Sequence, residues 1–452
     1  MTNDKVIVRF PPSPTGFFHI GNARTFLFNY LFAKQNGGQI VFRLEDTDKE
    51  RSKKEYAEDI IENIKWLRIE PDFSTTVRQS ERGEIYKKYL QKLIEEGKAY
   101  LSKEAVIAGN QRAEVIRFKN PNKKIMFNDL IRGDIEFDTA ELNDFIIAKS
   151  LNEPIYHLAM VVDDFEMGVT HVIRGDDGIS NTPRQILIQE AIGAPRPIYA
   201  HLPMILAPDK TKLSKRKHGE KVSVSYYRNA GYLPEAVINF LAMVGWNPGT
   251  DQEIFSMEEL IKVFDIKKVQ KGGAVFNIEK LDWLNREYIL RLSDEEQFSI
   301  FNLEFLRTKW KESKKTKDKI FMQKLLKIFL NRIHRWGEVR ELIEAGELDY
   351  FFERPVLDRK KICWKKQTPE DAKEKLKMVL DILDAPSPSQ GEGVGSEVAK
   401  LTEKEGKGEV LWPLRYSLSG REKSPDPFTL IDILGIKEGV ERIESAIQVL
   451  AP

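Results

Sequence analysis

The amino-acid sequence predicts an α/β fold for the first half of the chain and a mostly α-helical fold for the second half. The first 44 residues carry the succession of strand, loop, helix and strand that makes a βαβ unit. Beyond about Val222, apolar residues recur at helical spacing, as in 233–244 and 318–343. The ligand of such an α/β unit is expected at the carboxyl ends of its strands.

The βαβ unit begins with the short β-branched run from Lys5 to Phe10, which stops at Pro11-Pro12 as a buried strand entering a loop does. Apolar residues then recur at helical spacing from Asn22 to Gln35, and Gly37-Gly38 ends the helix. A second strand is predicted at Gln39 to Leu44. The loops that follow the two strands are therefore the places to look for a ligand site.

The remainder of the first half alternates helical and strand-like patterns. Helices are predicted over 55–67 and 82–96, strands over 154–162 and 168–173, and a small inserted subdomain over about 98–153. A chain of 452 residues is too long for one ordinary domain. We expect three domains, over 1–220, 221–308 and 309–452, with a flexible surface insertion at 385–397, which is rich in Pro, Ser and Gly.

Composition narrows the class of protein. Hydrophobic residues make up 41% and charged residues 31%, as in a soluble globular protein, and 71 basic against 70 acidic residues leave a net charge of +1. The single cysteine, Cys363, allows no internal disulfide, which fits a reducing compartment. We find neither a run of about 20 apolar residues nor a signal peptide, so a cytoplasmic location is expected.

The first segment whose residues suit ligand binding and catalysis runs from Pro11 to Asn22 (P-P-S-P-T-G-F-F-H-I-G-N). It lies between the first strand and the first helix. Gly16 and Gly21 allow the backbone to approach a phosphate closely, and a helix N-terminus offers free N–H groups. His19 lies at that N-terminus, where an imidazole can donate to phosphate oxygens.

The second segment is K-L-S-K-R, Lys212 to Arg216. Lysine-rich turns are usually solvated, but Leu213 and Ser214 interrupt the charges here, as in a loop that anchors one apolar side chain. Such a loop would direct Lys212 and Lys215 at one target. Two ammonium groups on a loop suit a leaving pyrophosphate.

These segments resemble the HIGH and KMSKS signatures of class I aminoacyl-tRNA synthetases, in the right order. Five blocks resemble bacterial glutamyl-tRNA synthetases in particular, while W-P-L-R-Y-S-L-S-G at 412–420 gives a looser match in the C-terminal half. The five blocks are R-F-P-P-S-P-T-G at 9–16, R-L-E-D-T-D at 43–48, Y-H-L-A-M-V-V-D-D at 156–164, H-V-I-R-G-D-D at 171–177 and K-L-S-K-R-K at 212–217.

The resemblance implies a Rossmann-like class I synthetase catalytic domain (1–220) with an inserted subdomain that binds the tRNA acceptor end. A helical stem-contact domain (221–308) and an all-α anticodon-binding domain (309–452) would follow. The implied activity is that of a glutamate–tRNA ligase, with ATP, L-glutamate, Mg²⁺ and tRNA(Glu) as partners and a monomer as the default state. Zinc is not expected, because 98–128 holds neither Cys nor His.

The resemblance also implies a set of site residues. Glutamate is a dicarboxylate and demands cations, and Arg9 and Arg174 lie at the ends of predicted strands. The implied glutamate-binding residues are Arg9, Ser13, Glu45, Tyr156, Met160 and Arg174. The implied ATP-binding residues are Thr15, Gly16, His19, Gly21, Asn22, Asp177, Lys212, Ser214, Lys215 and Arg216, of which His19, Lys212 and Lys215 would assist catalysis; Arg51, Arg332 and Arg335 would contact tRNA.

Several alternatives are open at this point. The enzyme could charge tRNA(Gln) as well as tRNA(Glu), because the loosely matched C-terminal half does not decide the reading of the anticodon. A glutaminyl-tRNA synthetase is disfavoured, since it usually carries P-x-P-N-G in the first loop where this chain has Pro14-Thr15-Gly16. A nucleotidyltransferase or base-modifying relative would not need 310–452. A non-catalytic paralogue would be expected to lose His19, Lys212 or Lys215.

Overall fold

The computed structural model of the chain describes residues 5–48, 50–103, 114–384 and 394–451. The chain forms two compact units, 1–288 and 289–452. The three-domain division predicted from the sequence, at 220 and 308, stays a prediction.

The first unit contains all the strands that the structure describes. They are β1 Ile7–Phe10, β2 Gln39–Leu44, β3 Val77–Arg78, β4 Ala99–Ser102, β5 Val115–Phe118, β6 Lys124–Asp129, β7 Gly133–Asp138, β8 Phe145–Ser150, β9 Glu153–Pro154, β10 His171–Gly175, β11 Ile198–Leu202, β12 Ile205–Leu206 and β13 Ala274–Val275. The helices that begin in this unit are α1 Ile20–Gln35, α2 Lys54–Trp66, α3 Gly83–Glu95, α4 Tyr156–Glu166, α5 Thr182–Ile192, α6 Lys215–His218, α7 Val224–Asn229, α8 Pro234–Met243, α9 Met257–Val263 and α10 Ile278–Arg291.

The predicted βαβ unit is confirmed. β1 pairs in parallel with β2, with Ile7 opposite Gln39 and Phe10 opposite Phe42, and α1 connects the two strands. β2 also pairs in parallel with β3, and β10 pairs in parallel with β11. Because the N–H of Thr170 donates to the carbonyl of Ile7 at 2.9 Å, β10 begins beside β1.

The segment predicted as an inserted subdomain divides between two sheets. β4, β5, β8 and β9 form a four-stranded antiparallel sheet of their own. β6 and β7 form an antiparallel hairpin that joins β11 through the pairing of Asp129 with Tyr199. The insertion therefore delivers the end of β6 to the parallel strands that carry the site.

The core of the first unit surrounds α1, a helix buried on most of its sides. Phe26 of α1 stacks on Phe10 of β1 at a ring-centroid distance of 4.4 Å, and both are almost fully buried. The ring of Phe10 also lies near those of Phe18 and Phe42, at centroid distances of 6.0 and 6.2 Å. Burial of these large apolar side chains fixes the start of α1 against the ends of β1 and β2.

One predicted strand is wrong. The segment 154–162 forms most of helix α4, Tyr156–Glu166, instead of a strand. All residues from Leu158 to Asp164 are buried, so the helix presents no polar face, and an apolar run without alternation cannot distinguish a buried helix from a buried strand. The strand predicted at 168–173 exists but is displaced to His171–Gly175.

The regular secondary structure described in the second unit is all helical, as predicted. Its helices are α11 Asp294–Phe305, α12 Lys319–Leu330, α13 Glu338–Glu344, α14 Arg359–Ile362, α15 Pro369–Asp384, α16 Val394–Glu405, α17 Lys407–Ser419, α18 Pro427–Leu434 and α19 Ile436–Leu450. The helical pattern over 318–343 resolves into two helices, α12 and α13.

Most of the predicted insertion at 385–397 lies outside the described residues, which resume at 394. Its last four residues are helical, because α16 begins at Val394. In the described parts of both units, no helix is long and apolar enough to cross a membrane.

Candidate active site

Three buried arginines and one partly buried glutamate collect where β1, β2 and β10 end. Arg9 is 2% exposed and lies in β1, while Arg174 is 8% exposed and lies in β10. Arg43 of β2 is fully buried, and Glu45 follows directly after that strand. The carboxyl ends of parallel strands thus bring together the loops and side chains that the sequence predicts at a ligand site.

Arg9 is held from two sides. Its Nε lies 3.4 Å from Oδ2 of Asp164 in α4, and its Nη1 donates to the carbonyl of Ile173 at 3.3 Å. These contacts join β1, β10 and α4 around one guanidinium. A buried arginine held in this way is oriented before any ligand arrives.

Arg43 is a functional candidate that the sequence analysis missed. Its Nη1 and Nη2 donate to Asp164 at 2.9 Å and to Glu45 at 3.0 Å, and its Nε lies 3.5 Å from Asp163. Burial alone would lower the pKa of Arg43, but the three carboxylates together raise it above its ordinary value. A charge inside a strand that is otherwise apolar, V-F-R-L, was the available signal, since a buried charge requires partners.

Glu45 faces the same group of charges. Burial raises the pKa of Glu45, and the ion pair with Arg43 opposes that rise. The hydroxyl of Ser13 donates to the carbonyl of Glu45 at 2.9 Å, and the N–H of Glu45 donates to the carbonyl of Pro12 at 3.0 Å. The structure therefore brings together the two loops that the sequence singled out, and Ser13 holds the Glu45 backbone.

Arg174 has a terminal guanidinium nitrogen without a hydrogen-bond partner among the described residues, whereas the unpartnered nitrogen of Arg43 is its Nε, which lies 3.5 Å from Asp163. Nη2 of Arg174 donates to the carbonyl of Gly178 at 3.1 Å and to the hydroxyl of Thr182 at 2.8 Å, and its Nε donates to Nε2 of His201 at 3.1 Å. Its Nη1 is buried without a partner in the described part of the chain. Burial lowers the pKa of Arg174. An unpaired buried guanidinium donor is suited to receive a carboxylate ligand.

Two predicted glutamate-binding residues lie on α4. Burial and the charge of Glu45 raise the pKa of Tyr156, and the nearby cations Arg174 and Arg9 oppose this rise. Tyr156 is the first residue of α4 and is 42% exposed, and the charges at the strand ends act on its hydroxyl. Met160, four residues later, is buried in the apolar cluster that includes Leu158 and Val162.

His19 is the N-cap of α1, and its hydrogen bond defines the tautomer of the neutral ring. Its Nδ1 accepts the backbone N–H of Asn22 at 3.2 Å, so the proton of the neutral ring must reside on Nε2. Partial loss of hydration, followed by the charge of Lys212, lowers the pKa of His19, although its side chain is exposed, and Asp177 opposes both effects. A Cβ at Gly21 would lie 3.1 Å from the imidazole ring. Glycine at that position therefore leaves room for a neutral imidazole with a free Nε2–H donor.

The other residues predicted to bind nucleotide lie in three places: the loop before α1, the turn after β10 and the loop over 212–216. Thr15 and Gly16 lie in the loop before α1, where the N–H of Thr15 donates to the carbonyl of Ser13 at 2.9 Å. Asp177 follows β10, and its Oδ2 lies 4.0 Å from Nζ of Lys212. The side chain of Asp176 instead pairs with Arg132 at 2.9 Å.

The K-L-S-K-R segment from Lys212 to Arg216, the lysine loop, is anchored through Leu213 as predicted. The N–H of Leu213 donates to the carbonyl of Ile205 at 3.1 Å, and its partly buried side chain packs against the core. The N–H of Ser214 donates to Nδ1 of His218 at 3.2 Å. Lys215 begins helix α6, but its side chain and that of Arg216 lie outside the described parts of the chain.

The residues predicted to contact tRNA are dispersed. Arg51 is exposed and pairs with Asp48 at 2.6 Å. In the second unit, Arg332 pairs with Glu347, and Nη1 of Arg335 lies 2.8 Å from Glu341. None of these three arginines belongs to the cluster at the strand ends.

The second unit contains a cavity of about 1140 Å³. Its lining combines five basic and four acidic side chains with apolar residues, and of the predicted tRNA contacts it includes Arg332 alone. The charged lining residues are Lys324, Lys327, Arg332, Glu347, Arg421, Glu422, Lys423, Asp426 and Asp432. Sequence analysis missed most of them, because they come from α12, α18 and the loops between helices that are distant in the chain.

No group of three or more His, Cys, Asp or Glu side chains with the geometry of a metal site occurs within 5–48, 50–103, 114–384 or 394–451. The carboxylates directly after β10 are Asp177 and Asp176, whose Oδ1 is buried and unpaired among the described residues. Such a set does not form a protein cage for a divalent cation, which prefers six or more oxygen ligands.

Comparison with known proteins matches both halves of the chain. The family described as "tRNA synthetases class I (E and Q), catalytic domain" matches residues 5–106 and 105–283, and the "Anticodon binding domain" family matches 296–447. The chain is 41% identical to the glutamate–tRNA ligase of Aquifex aeolicus and 40% identical to that of Carboxydothermus hydrogenoformans. These alignments cover 97% of this chain and 98% and 99% of the relatives.

Solved structures give the same likeness. The crystal structure of a glutamate tRNA ligase from Elizabethkingia meningosepticum, in complex with its amino acid, superposes with a TM-score of 0.86 at 32% identity. The superposition covers 99% of this chain and 100% of that one. A glutamate-tRNA synthetase from Elizabethkingia anophelis superposes with a TM-score of 0.83, also at 32% identity, and covers 98% of this chain and 100% of that one.

Proposed function

The chain belongs to the class I tRNA synthetase family for glutamate and glutamine, and from this premise we propose that it is a glutamate–tRNA ligase with its amino-acid site at the ends of β1, β2 and β10. It joins L-glutamate to ATP as glutamyl-adenylate and transfers the glutamyl group to the 3′ end of tRNA(Glu). The observation that carries the location of the site is the unpaired Nη1 of buried Arg174, close to the charge of Arg9, which in turn acts on Glu45.

The charges divide between the two ends of the amino acid. Arg9 and Arg174 would receive a carboxylate of glutamate, and Glu45, whose backbone Ser13 holds, would receive the α-amino group. A neutral side-chain amide in place of the carboxylate would leave a buried guanidinium uncompensated. The pocket would thereby discriminate glutamate from glutamine.

The first step needs no covalent bond to the protein. A carboxylate oxygen of glutamate attacks the α-phosphorus of ATP, the bond to pyrophosphate breaks, and pyrophosphate leaves. Nε2–H of His19 would donate to an α-phosphate oxygen as charge develops, and Lys212 and Lys215 would neutralise the leaving group. The protein thus contributes orientation and fixed charges.

In the second step, a hydroxyl of the terminal tRNA adenosine attacks the glutamyl carbonyl, and AMP leaves. Mg²⁺ would arrive with the nucleotide, since the described residues do not form a cage for it. We propose no reaction step through the metal, and the absence of zinc and the monomeric state stay predictions.

Transfer-RNA contacts are proposed at two levels. Arg51 would lie toward the acceptor end, and Arg332 and Arg335 would lie within the anticodon-binding region of 296–447. Charging of tRNA(Gln) in addition to tRNA(Glu) would depend on the reading of the anticodon.

Charging of purified tRNA(Glu) and tRNA(Gln) with radiolabelled glutamate and ATP tests the proposal, with free glutamine as competitor. Charging of tRNA(Glu) that is insensitive to glutamine is the expected result. Charging of both tRNAs would show that the enzyme also accepts tRNA(Gln). Charging of neither by the folded protein would refute the proposed function.

A further inference from the structure

Arg174 is held on the side opposite its unpaired Nη1 donor by a buried histidine. Nε of Arg174 donates to Nε2 of His201 at 3.1 Å, and His201 is completely buried in β11. Nη2 has its own partners, the carbonyl of Gly178 and the hydroxyl of Thr182. Two of the three nitrogens are therefore fixed by the protein, and Nη1 remains for a ligand.

The contact with Arg174 defines the protonation state of His201. An arginine nitrogen only donates hydrogen bonds, so Nε2 of His201 must be the acceptor and must carry no proton. The single proton of the neutral ring then resides on Nδ1. The carboxylate Oδ2 of Asp129 lies 2.6 Å from that Nδ1 and accepts the proton's hydrogen bond.

Asp129 is itself firmly placed. It ends β6, is 1% exposed, and accepts the backbone N–H groups of Ile131 at 2.9 Å, Arg132 at 2.8 Å and His201 at 3.0 Å. Burial raises the pKa of Asp129, but these hydrogen bonds outweigh the burial and lower it, so the group is a carboxylate. The inserted hairpin β6–β7 thus presents a fixed anion to His201.

The ring of His201 is also held by its neighbours. Tyr199 stacks on it at a centroid distance of 6.0 Å and an interplanar angle of 12°, and Phe127 contacts it at 6.4 Å. The imidazole therefore has little freedom to turn over. Burial lowers the pKa of His201, the hydrogen bond to Asp129 opposes it, and the adjacent cation Arg174 lowers the pKa further, so the net shift is downward and favours the neutral ring.

We propose that Asp129 and His201 form a positioning pair for Arg174, which sets the tautomer of His201 and thereby the orientation of the guanidinium that receives glutamate. The carboxylate fixes the proton on Nδ1, the bare Nε2 accepts from Nε of Arg174, and Nη1 is left as the donor for the ligand. Neither Asp129 nor His201 touches the substrate. The inference rests on the proposed function only in taking glutamate as the ligand of Arg174.

Three conservative variants separate this role from a packing role. Asp129→Asn keeps the shape but places an amide donor opposite Nδ1, which forces the ring proton onto Nε2 and against the donor of Arg174. His201→Asn keeps a donor at the position of Nδ1 and loses the acceptor for Arg174. His201→Gln can place its carbonyl oxygen near the former Nε2 and keeps that acceptor.

The experiment measures glutamate and ATP KM values by ATP–pyrophosphate exchange with tRNA(Glu) present. Asp129→Asn and His201→Asn should raise the glutamate KM about tenfold or more, with the ATP KM nearly unchanged. His201→Gln should recover most of the glutamate affinity. Nitrogen-15 spectra of the folded protein should show the His201 proton on Nδ1 in the parent and on Nε2 in Asp129→Asn.

Arg174→Ala in the same assay distinguishes the two proposals. A raised glutamate KM in Arg174→Ala, with normal values in Asp129→Asn and His201→Asn, would overturn the positioning pair and leave the glutamate pocket intact. A normal glutamate KM in Arg174→Ala would remove Arg174 from the pocket and refute both. Equal increases of the glutamate and ATP KM values in both His201 variants would indicate packing and overturn the positioning pair. If Asp129→Asn does not fold, the two His201 variants decide.

Discussion

Nη2 of Arg43 lies 3.0 Å from Oε1 of Glu45, although the two residues are only two positions apart at the end of one strand. Alternate residues of a strand face the same side, so both charges enter the same buried space. The other nitrogens of Arg43 meet Asp163 and Asp164. One buried cation therefore compensates three carboxylates, of which Asp164 also holds Arg9 and Glu45 belongs to the proposed amino-acid site.

Arg43→Met should destabilise the first unit strongly. The substitution leaves buried carboxylates without their cation, which costs about 3–5 kcal/mol in comparable buried pairs. Arg68→Met is the matched control, because Arg68 is 73% exposed on its side chain and pairs with Glu235 at the surface, where a pair contributes about 0–1 kcal/mol. Thermal unfolding should show a large fall in Tm for Arg43→Met alone; equal Tm values would contradict the account of Arg43.

Gly21→Ala should slow adenylation without unfolding the protein. The new methyl group would lie 3.1 Å from the His19 ring and displace its Nε2–H donor. Loss of one such donor typically costs about 10²–10³ in rate. Gly83→Ala, at the start of α3, is the control, because nothing lies within 4 Å of its Cβ position. Single-turnover measurement of glutamyl-adenylate formation checks the rate. An unchanged rate in Gly21→Ala would show that the imidazole of His19 takes no part in the reaction.

Gly178→Ala should weaken glutamate binding through Arg174. A Cβ at Gly178 would lie 2.8 Å from Cδ of Arg174 and would overlap its Nε. The guanidinium cannot then keep its present orientation toward His201. We expect a glutamate KM raised about tenfold or more, with the ATP KM preserved. Saturation by glutamate at the normal concentration would show that the orientation of Arg174 is unimportant.

Lys215→Ala should reduce the adenylation rate by on the order of 10² or more, with glutamate affinity largely retained. The ammonium group is expected to act on the leaving pyrophosphate, a charge that grows only as the reaction proceeds. Rapid-quench measurement of glutamyl-adenylate formation separates the rate from binding. A normal rate would exclude the side chain of Lys215 from the reaction.

His157 should make stability fall in mild acid. Burial, followed by the charges of Arg184 and Arg174, lowers the pKa of His157 to about 4. Between this value and the unfolded pKa of about 6.5, the unfolded chain takes up a proton that the folded protein does not bind. Stability is therefore present above about pH 6.5 and is lost as pH falls, by about 1.4 kcal/mol per pH unit.

The comparison of Tm for the parent and His157→Gln between pH 7.5 and 4.5 checks this sign. The parent should lose more Tm than the variant as pH falls, because the variant lacks the titrating ring. Parallel Tm curves would contradict the assignment of the acid sensitivity to His157.

The sequence predicts those parts of the fold and site that depend on local pattern. The helix at α1 and the two adjacent strands follow from apolar spacing and from Gly37-Gly38, and His19 and Lys212 lie in short motifs. Helix α4 was not predicted, because residues 158–164 are all buried and their hydropathy shows no helical period.

The partners of the site residues could not be predicted in the same way. His201 reaches Asp129 across 72 positions of the chain, and Arg43 reaches Asp164 across 121. Such pairs are set by the arrangement of strands and by the inserted hairpin, which a local pattern does not encode. A buried charge in an apolar strand, as at Arg43, indicates that partners exist but does not identify them.

The central claim is that the cations at the strand ends bind glutamate for transfer to tRNA. Its most direct test is the ATP-dependent charging of tRNA(Glu) at increasing glutamate concentrations, by the parent protein and by Arg174→Ala in parallel. The account predicts saturable charging by the parent and a severe rise in the glutamate KM of the variant. Identical saturation curves for the two proteins would contradict it.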